Sequence, residues 1–321
     1  MHDTPQIIDV GNGVVAIDTH YVRPLMDASH LIVQDGRAAF VDTGTSHSAR
    51  YLLNALLQQD LTPECVDYIF LTHIHLDHAG GAGTLLQSLP NAKVVLHPRG
   101  AAHMIDPTKL IAGSRAVYGD ALYDKLYGEI VAVPEARVVI VEDGDELMLG
   151  DRRLLFLHTP GHALHHYCIV DAAHRAVFSG DTFGVSYRET DTAAGPFIFP
   201  TTTPTQFDPV AAHDSYDRIL SYNPDTVYLT HYSRVGNIPK LAQDLHRRLD
   251  AFVDIAKAHV ETSNRAMAIA RDMRNYLFRE LKQHGVKDGV GQREAVVGSD
   301  IDLNAQGLDV WLHRLRKLGE I

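Results

Sequence analysis

The chain has 321 residues, of which 45% are hydrophobic and 21% charged, and its formal net charge is −11. This length allows one large domain with an appendage or two domains, and the composition argues against disorder. The acidic charge disfavours nucleic acid as a partner, because a negative surface repels phosphates. The only two cysteines, Cys65 and Cys168, form no CxxC pair. This excludes a disulfide scaffold and predicts buried free thiols.

The N-terminal sequence MHDTPQIIDVG has no basic segment followed by an apolar one, so we expect no signal peptide. No apolar stretch approaches the roughly 20 residues needed to span a bilayer. These features predict a cytoplasmic protein without a membrane partner.

The first part of the chain alternates between short apolar runs and glycine or aspartate. These runs predict strands at 7–10, 14–18, 29–33, 38–41, 66–71 and 94–97. Apolar residues at helical spacing predict helices over 46–59 and 80–89, the second ended by Pro90. The segment 100–130 is predicted to be an irregular helical insertion. Its Asp106, Arg115 and Tyr118 could shape a pocket, although a solvated surface is the simpler expectation.

Strands resume in the second part of the chain. They are predicted at 137–141, 146–148, 154–158, 166–171, 176–179 and 226–230, and interspersed helices then favour a layered α/β fold. After residue 239 the pattern becomes helical, with helices predicted over 240–260, 264–283 and 303–318 and a glycine-rich loop over 285–298. We therefore predict a catalytic domain over 1–238 and a helical C-terminal extension over 239–321. The extension either covers one face of the main domain or forms a wall of a substrate pocket.

Candidate metal ligands are concentrated in the segment THIHLDHAGG, which directly follows a predicted buried strand. His73 and His75 lie two residues apart, so in an extended chain they project to the same side. Two converging imidazoles suit a borderline ion such as zinc. Asp77 and His78 follow as the chain turns toward a helix and can face a second point nearby.

Three later ligand-type residues also follow apolar strands, namely His162, Asp181 and His231. Open α/β sheets place their sites at such strand ends. With the four residues of the first segment they make seven ligands, the number that two ions need when one carboxylate bridges them.

The ordered motifs THIHLDHAGG, TPGHALHH, FSGDTFG and LTHYS, preceded by FVDTG at 40–44, resemble those of the metallo-β-lactamase superfamily. The resemblance is closer to the glyoxalase II-like hydrolase branch and covers 7–235. It implies an αββα sandwich with the site along one edge, where the two sheets end. The substrate-binding residues that glyoxalase II carries in its C-terminal helices find no match here.

The resemblance also implies an assignment for each ligand. His73, His75 and His162 would hold one divalent ion, Asp77, His78 and His231 would hold the other, and Asp181 would bridge them. Asp42 would orient a ligand from behind. The ions are expected to be Zn²⁺, with iron and manganese as alternatives.

We therefore predict a dinuclear metal-dependent hydrolase that attacks a small acyl substrate, a thioester or a lactone, with a metal-bridging hydroxide oriented by Asp77. The alternatives are a phosphodiesterase, an oxidoreductase with one iron that resembles the sulfur dioxygenases, and a metal-binding protein without catalysis. No GxSxG element is present. A homodimer is the base-rate expectation.

Several other polar residues near the motifs receive simpler interpretations. His97, His103, His158, His165 and His166 are not expected to be ligands, although His165 or His166 could orient one. Tyr232 could donate a hydrogen bond to substrate but is expected to serve packing.

Overall fold

The alternating apolar runs of the first half form a seven-stranded sheet in a computed structural model that describes residues 6–287 and 289–321. In spatial order the strands are β1 (Ile7–Gly11), β2 (Val14–Asp18), β3 (Ala28–Gln34), β4 (Arg37–Val41), β5 (Val66–Phe70), β6 (Lys93–Leu96) and β7 (Val138–Ile140). The first four are antiparallel. From β4 to β7 neighbouring strands are parallel, so their carboxyl ends meet at one edge.

A six-stranded sheet follows. Its strands are β8 (Glu146–Leu149), β9 (Arg152–His158), β10 (Tyr167–Asp171), β11 (Ala176–Gly180), β12 (Thr226–Leu229) and β13 (Ser233–Val235), in the order β13-β12-β11-β10-β9-β8. Only β11 and β12 pair in parallel. Strands β2, β10, β11 and β12 are buried along their whole length.

The two sheets and the helices of the first half form one compact unit. It comprises the described residues through His158 together with His165–Gly180 and Pro224–Gly236. Its helices are α1 (Ala49–Gln58), α2 (Leu76–Ala79), α3 (Ala82–Leu86), α4 (Pro98–Ile105), α5 (Thr108–Tyr118) and α6 (Asp120–Tyr127). One apolar core joins the seven-stranded sheet to α1, α3 and α4, and a second fills the space between the two sheets. Within this unit the layers are therefore helix, sheet and sheet.

The second compact unit is mainly helical and comprises Thr159–Leu164, Asp181–Asn223 and Asn237–Ile321. Its helices are α7 (Pro209–Ser221), α8 (Ile238–Ala258), α9 (Arg265–His284) and α10 (Val290–Leu318). Their apolar stripes are buried, including Leu245 of α8, Leu277 of α9 and Leu308 of α10. The amphipathic spacing of the C-terminal sequence thus produces packed helices.

The predicted strands match the observed ones to within one or two residues, whereas the predicted loop over 285–298 is wrong. Residue 288 of that segment lies outside the described residues, and α10 already begins at Val290. The thiol prediction is also corrected in part, because Cys168 is buried but Cys65 is only half-buried. Helix α7 and strand β13 were not predicted from the sequence. The boundary between 238 and 239 stays a prediction.

The absence of a signal peptide was predicted from a segment whose residues 1–5 lie outside the described residues. Among the helices of the described chain, none combines the length and apolarity that crossing a membrane requires.

Candidate metal centre

The histidine-rich segment begins where β5 ends, at the edge shared by the carboxyl ends of the parallel strands. After Phe70 the chain passes through Thr72 into His73, and α2 starts at Leu76 with His75 as its N-cap. His73 and His78 are fully buried, while His75 and Asp77 are partly exposed. Buried imidazoles are therefore grouped beside side chains that solvent reaches.

Asp42, which directly follows β4, is the hydrogen-bonding centre of this edge. Its carboxylate accepts hydrogen bonds from the Thr72 backbone N–H at 2.8 Å and from the Thr230 hydroxyl at 2.8 Å. It also lies 2.8 Å from Nδ1 of His78. The residue has a φ of 58°, an uncommon conformation that aspartate tolerates. Asp42 thus fixes the His78 ring from its Nδ1 side, as a carboxylate does behind a metal-bound histidine.

A second buried carboxylate lies against His231, whose Nδ1 also faces the Met26 carbonyl oxygen at 3.3 Å. Nδ1 of His231 lies 2.6 Å from Oδ1 of the fully buried Asp27. The strand end that carries His231 is tied to this region, because the Ala28 N–H donates to the Thr230 carbonyl at 2.8 Å. Burial raises the pKa of Asp27 to about 6, and the adjacent His231 opposes that rise.

Asp77, His78 and His231 form a three-ligand group inside the first unit. Their candidate ligand atoms all lie within 4.8 Å of one another. Nε2 of His78 and Nε2 of His231 each lie 3.8 Å from Oδ2 of Asp77. That separation is too long for a hydrogen bond but close to the roughly 3.4 Å between two ligands of a tetrahedral zinc ion. One oxygen and two imidazole nitrogens around one point fit a divalent cation.

The ring nitrogens of His73 and His75 also converge on one point, in the same unit. Nε2 of His73 lies 2.9 Å from Nδ1 of His75, and the two rings meet edge to face. The Thr72 hydroxyl lies 3.1 Å from Nδ1 of His73 and orients its ring. These two nitrogens can share a proton or approach one ion together.

The remaining two predicted ligands lie in the second unit. His162 follows β9 and Asp181 directly follows β11, and both side chains are buried. Nε2 of His162 lies 3.5 Å from Oδ2 of Asp181. The Thr201 hydroxyl is 2.9 Å from Nδ1 of His162 and donates to the Asp181 carbonyl at 3.2 Å. The same design recurs, with a polar group behind the imidazole and a carboxylate near its far nitrogen.

The neighbouring histidines have other roles in the local structure. Nδ1 of His165 accepts from the Ile74 N–H at 3.5 Å, so His165 supports the backbone between two candidate ligands. Nδ1 of His97 caps α4 by accepting from the Arg99 N–H, and burial lowers the pKa of His97 to about 4. His166 is fully buried directly before β10, and its ring stacks on that of His73.

Sequence reasoning missed three residues that support the ligands, namely Asp27, Thr201 and Thr230. None of the three is itself a candidate metal ligand. Thr230 directly precedes His231, so its place at a strand end was a usable signal. Asp27 and Thr201 are distant in sequence from the histidines they orient, and only the fold brings them there.

A sequence profile of the metallo-β-lactamase superfamily matches residues 22–231. The chain therefore belongs to the metallo-β-lactamase superfamily, and the predicted resemblance is confirmed. The fold class predicted from the sequence, an αββα sandwich with a C-terminal helical region, is confirmed with it.

Two groups of relatives are similar to the chain in sequence. A metallo-β-lactamase fold-containing protein of Sulfurisphaera tokodaii is 30% identical over 183 residues, which cover 56% of this chain and 64% of that protein. A hydroxyacylglutathione hydrolase of Citrobacter koseri is 28% identical over 171 residues, covering 53% of this chain and 50% of its own length. The chain thus spans between half and two thirds of the length of these curated relatives.

Two solved structures share the fold over nearly the whole chain. An archaeal metallo-β-lactamase superfamily protein from Sulfolobus tokodaii has a TM-score of 0.65 at 24% identity, covering 93% of this chain and 99% of that one. A metallo-β-lactamase family protein from Thermus thermophilus has a TM-score of 0.66 at 20% identity, covering 97% and 95%. At these identities the likeness concerns the fold.

Proposed function

We propose that this protein is a dinuclear metal-dependent hydrolase of a small acyl substrate, a thioester or a lactone. One observation carries the proposal. His78 and His231 are each held by a buried carboxylate, and both direct Nε2 to within 3.8 Å of the same Asp77 oxygen. Such an arrangement suits a cation bound between the three side chains, and packing alone would not require it.

The proposed ligand sets follow the order of the sequence motifs. His73, His75 and His162 would hold one ion, Asp77, His78 and His231 the other, and Asp181 would bridge. Imidazole and carboxylate donors favour zinc, and they also accept iron or manganese. When bound, two such ions lower the pKa of a shared water and polarise the bond under attack.

Asp77 is the proposed catalytic residue. Its side chain is 21% exposed, whereas those of His78 and Asp42 are buried, so Asp77 is the carboxylate of this group that substrate and water can reach. It would orient the attacking water and accept its proton. No serine or cysteine nucleophile is required, and the reaction would proceed by direct hydrolysis without a covalent intermediate.

A thioester substrate is supported by the similarity to hydroxyacylglutathione hydrolases, which the chain matches over about half of their length. The lactone alternative rests on the same acyl chemistry.

We further propose a cytoplasmic protein that acts on a small molecule without nucleic acid or membrane partners. A homodimer is proposed as well, and light scattering of the purified protein tests it.

Metal analysis of protein purified without added metal tests the dinuclear proposal. Two equivalents of zinc, manganese or iron per chain support it. One equivalent of iron, together with oxygen uptake on a persulfide, would replace it with a dioxygenase. Two equivalents of metal without hydrolysis of any thioester, lactone or phosphodiester would indicate metal binding alone, and hydrolysis confined to phosphodiesters would overturn the acyl assignment.

The variant Asp181→Ala tests the bridge. We expect loss of at least one equivalent of metal and a fall in kcat of about 100-fold or more, because one carboxylate would serve both ions. Asp225→Ala is the matched control, since Asp225 is an exposed aspartate that pairs with Arg175 on the surface. Full metal content and full activity in Asp181→Ala would show that this residue does not bridge.

A further inference from the structure

Three consecutive threonines lie between two prolines in the second unit, over 200–204. β-Branched side chains favour an extended backbone, and a residue that precedes proline is restricted to the same conformation. Thr202 is fully buried, whereas Thr201 and Thr203 are half-buried. Because successive side chains of an extended chain point to opposite sides, Thr201 and Thr203 share one side and Thr202 occupies the other.

The side that carries Thr201 faces the candidate ligand His162. Nδ1 of His162 lies 2.9 Å from the Thr201 hydroxyl and 3.4 Å from the Thr203 hydroxyl. The Thr201 hydroxyl donates its only proton to the Asp181 carbonyl at 3.2 Å, because a carbonyl can only accept. The Thr201 oxygen therefore accepts from an N–H at Nδ1 of His162. This contact selects the tautomer in which Nε2 carries no proton, as binding of a cation requires.

The side that carries Thr202 is held by Asn304, in the middle of α10. The Thr202 N–H donates to Oδ1 of Asn304 at 2.5 Å, and Nδ2 of Asn304 donates to the Pro200 carbonyl at 3.3 Å. The Thr202 hydroxyl also donates to the Asn304 backbone carbonyl at 3.0 Å. The Asn304 amide thus pairs with the backbone on both sides of Thr201, as a neighbouring strand would.

Asparagine is an unfavourable residue for this position in α10. It is a poor helix former, and burying its amide costs free energy unless the polar groups are hydrogen-bonded. Asn304 is nevertheless 2% exposed. One turn further along, Gly307 allows the helix backbone to approach the Thr202 carbonyl oxygen, which a Cβ at that position would meet. Two features of α10 therefore fit the same segment.

We propose that Asn304 is a positioning residue for the metal ligand His162 and acts through Thr201, so that a C-terminal helix contributes to the metal centre. The contacts that carry this inference all lie within the second unit. The inference rests on the proposed function, in which His162 is a ligand. The alternative is that Asn304 only packs α10 against the segment, and its loss would then lower stability without changing metal affinity.

Zinc affinity, measured on the metal-stripped protein by competition with a chelator, tests the contact between Thr201 and His162. Thr201→Val keeps the shape of the side chain but removes its hydroxyl, so one of the two equivalents should bind about 10–100-fold more weakly. Thr201→Ser should bind like the wild type, because it keeps the hydroxyl. Thr190→Val is the matched control, since the hydroxyl of the buried Thr190 donates to the Tyr187 carbonyl at 2.6 Å. Equal affinities in Thr201→Val and Thr190→Val would overturn the inference.

The same measurement on Asn304→Asp tests the contact between α10 and the segment. The carboxylate still accepts from the Thr202 N–H but places an oxygen against the Pro200 carbonyl, so we expect the same equivalent to bind about tenfold more weakly. Leu312→Ala is the control, because it removes a buried apolar side chain of α10 and lowers stability without removing a hydrogen bond. It should keep the wild-type affinity. The wild-type affinity in Asn304→Asp would overturn the inference.

The tautomer of His162 gives a readout that needs neither metal nor hydrolysis. Nitrogen-15 NMR of the metal-stripped protein at about pH 8, where a histidine ring is normally neutral, shows which ring nitrogen carries the proton. His162→Gln identifies the signals. We expect the proton on Nδ1 in the wild type and in Leu312→Ala, and a mixture of both tautomers in Thr201→Val and Asn304→Asp.

The two proposals fail in different ways. These changes in affinity and tautomer, in a protein that hydrolyses no ester, would refute the proposed function alone. The wild-type tautomer in Asn304→Asp would refute the inference and leave the proposed function intact.

Discussion

At the residue scale, the candidate centre depends on the carboxylates behind the histidines as much as on the histidines themselves. The ligand candidates could be predicted because each follows an apolar strand, and Asp42 could be predicted from the resemblance to the superfamily. Asp27 could not. Its contact with His231 arises from the hydrogen bond between Ala28 and Thr230, which no local pattern encodes.

Asp27→Asn should weaken ion binding by the group of Asp77, His78 and His231 by about 10–100-fold, because the amide keeps the shape but removes the charge that orients and polarises His231. Titration of the stripped protein with Zn²⁺ against a chelating dye measures the affinity. Asp18→Asn is the control, since Asp18 is a buried aspartate paired at 3.3 Å with His20, which belongs to no ligand group. Equal affinities in the two variants would contradict the role given to Asp27.

At the scale of the element, all strands but β13 were predicted accurately, because they are largely apolar and glycine, aspartate or proline follows most of them within two residues. The glycine-rich segment 285–298 was wrongly predicted to be a loop, because glycine weakens a helix but does not forbid it. In α10 one glycine is required by packing. A Cβ at Gly307 would lie 1.7 Å from the Thr202 carbonyl oxygen, whereas a Cβ at Gly291 would meet nothing within 4 Å.

Two glycine substitutions in α10 should therefore have opposite effects. Gly291→Ala should raise the free energy of unfolding by about 0.5 kcal/mol, because alanine loses less backbone entropy in a helix. Gly307→Ala should lower it by about 2–3 kcal/mol, because the backbone near Thr202 must move. Urea unfolding followed by circular dichroism measures both. A loss of stability in Gly291→Ala would indicate that the start of α10 is not helical in solution.

At the scale of the whole molecule, a buried histidine between the two sheets links stability to pH. His30 of β3 is surrounded by Phe178 and Tyr228 and is fully buried. Burial lowers its pKa to about 4, and the charge of Asp42 only partly opposes this. The unfolded chain therefore takes up a proton near pH 6.5, where the folded protein does not.

The contribution of neutral His30 to the free energy of unfolding is therefore fully present above pH 6.5. It is lost as the pH falls toward 4, by up to about 3 kcal/mol. His30→Phe should remove this part of the acid sensitivity, since phenylalanine does not titrate and suits the aromatic surroundings. Urea unfolding of the metal-stripped protein at pH 7 and pH 4.5 checks it. His103 is a half-buried histidine of α4. The variant His103→Phe should retain the wild-type dependence of stability on pH. An equal pH dependence in the two variants would contradict the assignment.

The hydrogen bonds of Asp42 also have a kinetic consequence. This single carboxylate accepts from Thr72 and from Thr230, which lies 188 residues away along the chain. The group of Asp77, His78 and His231 is therefore assembled only after strands from both sheets have come together, which is a late event in folding. An ion that binds this group stabilises the finished structure more than the transition state that precedes it. Metal should then prolong the lifetime of the folded protein by slowing its unfolding, while the rate at which the chain folds stays nearly the same.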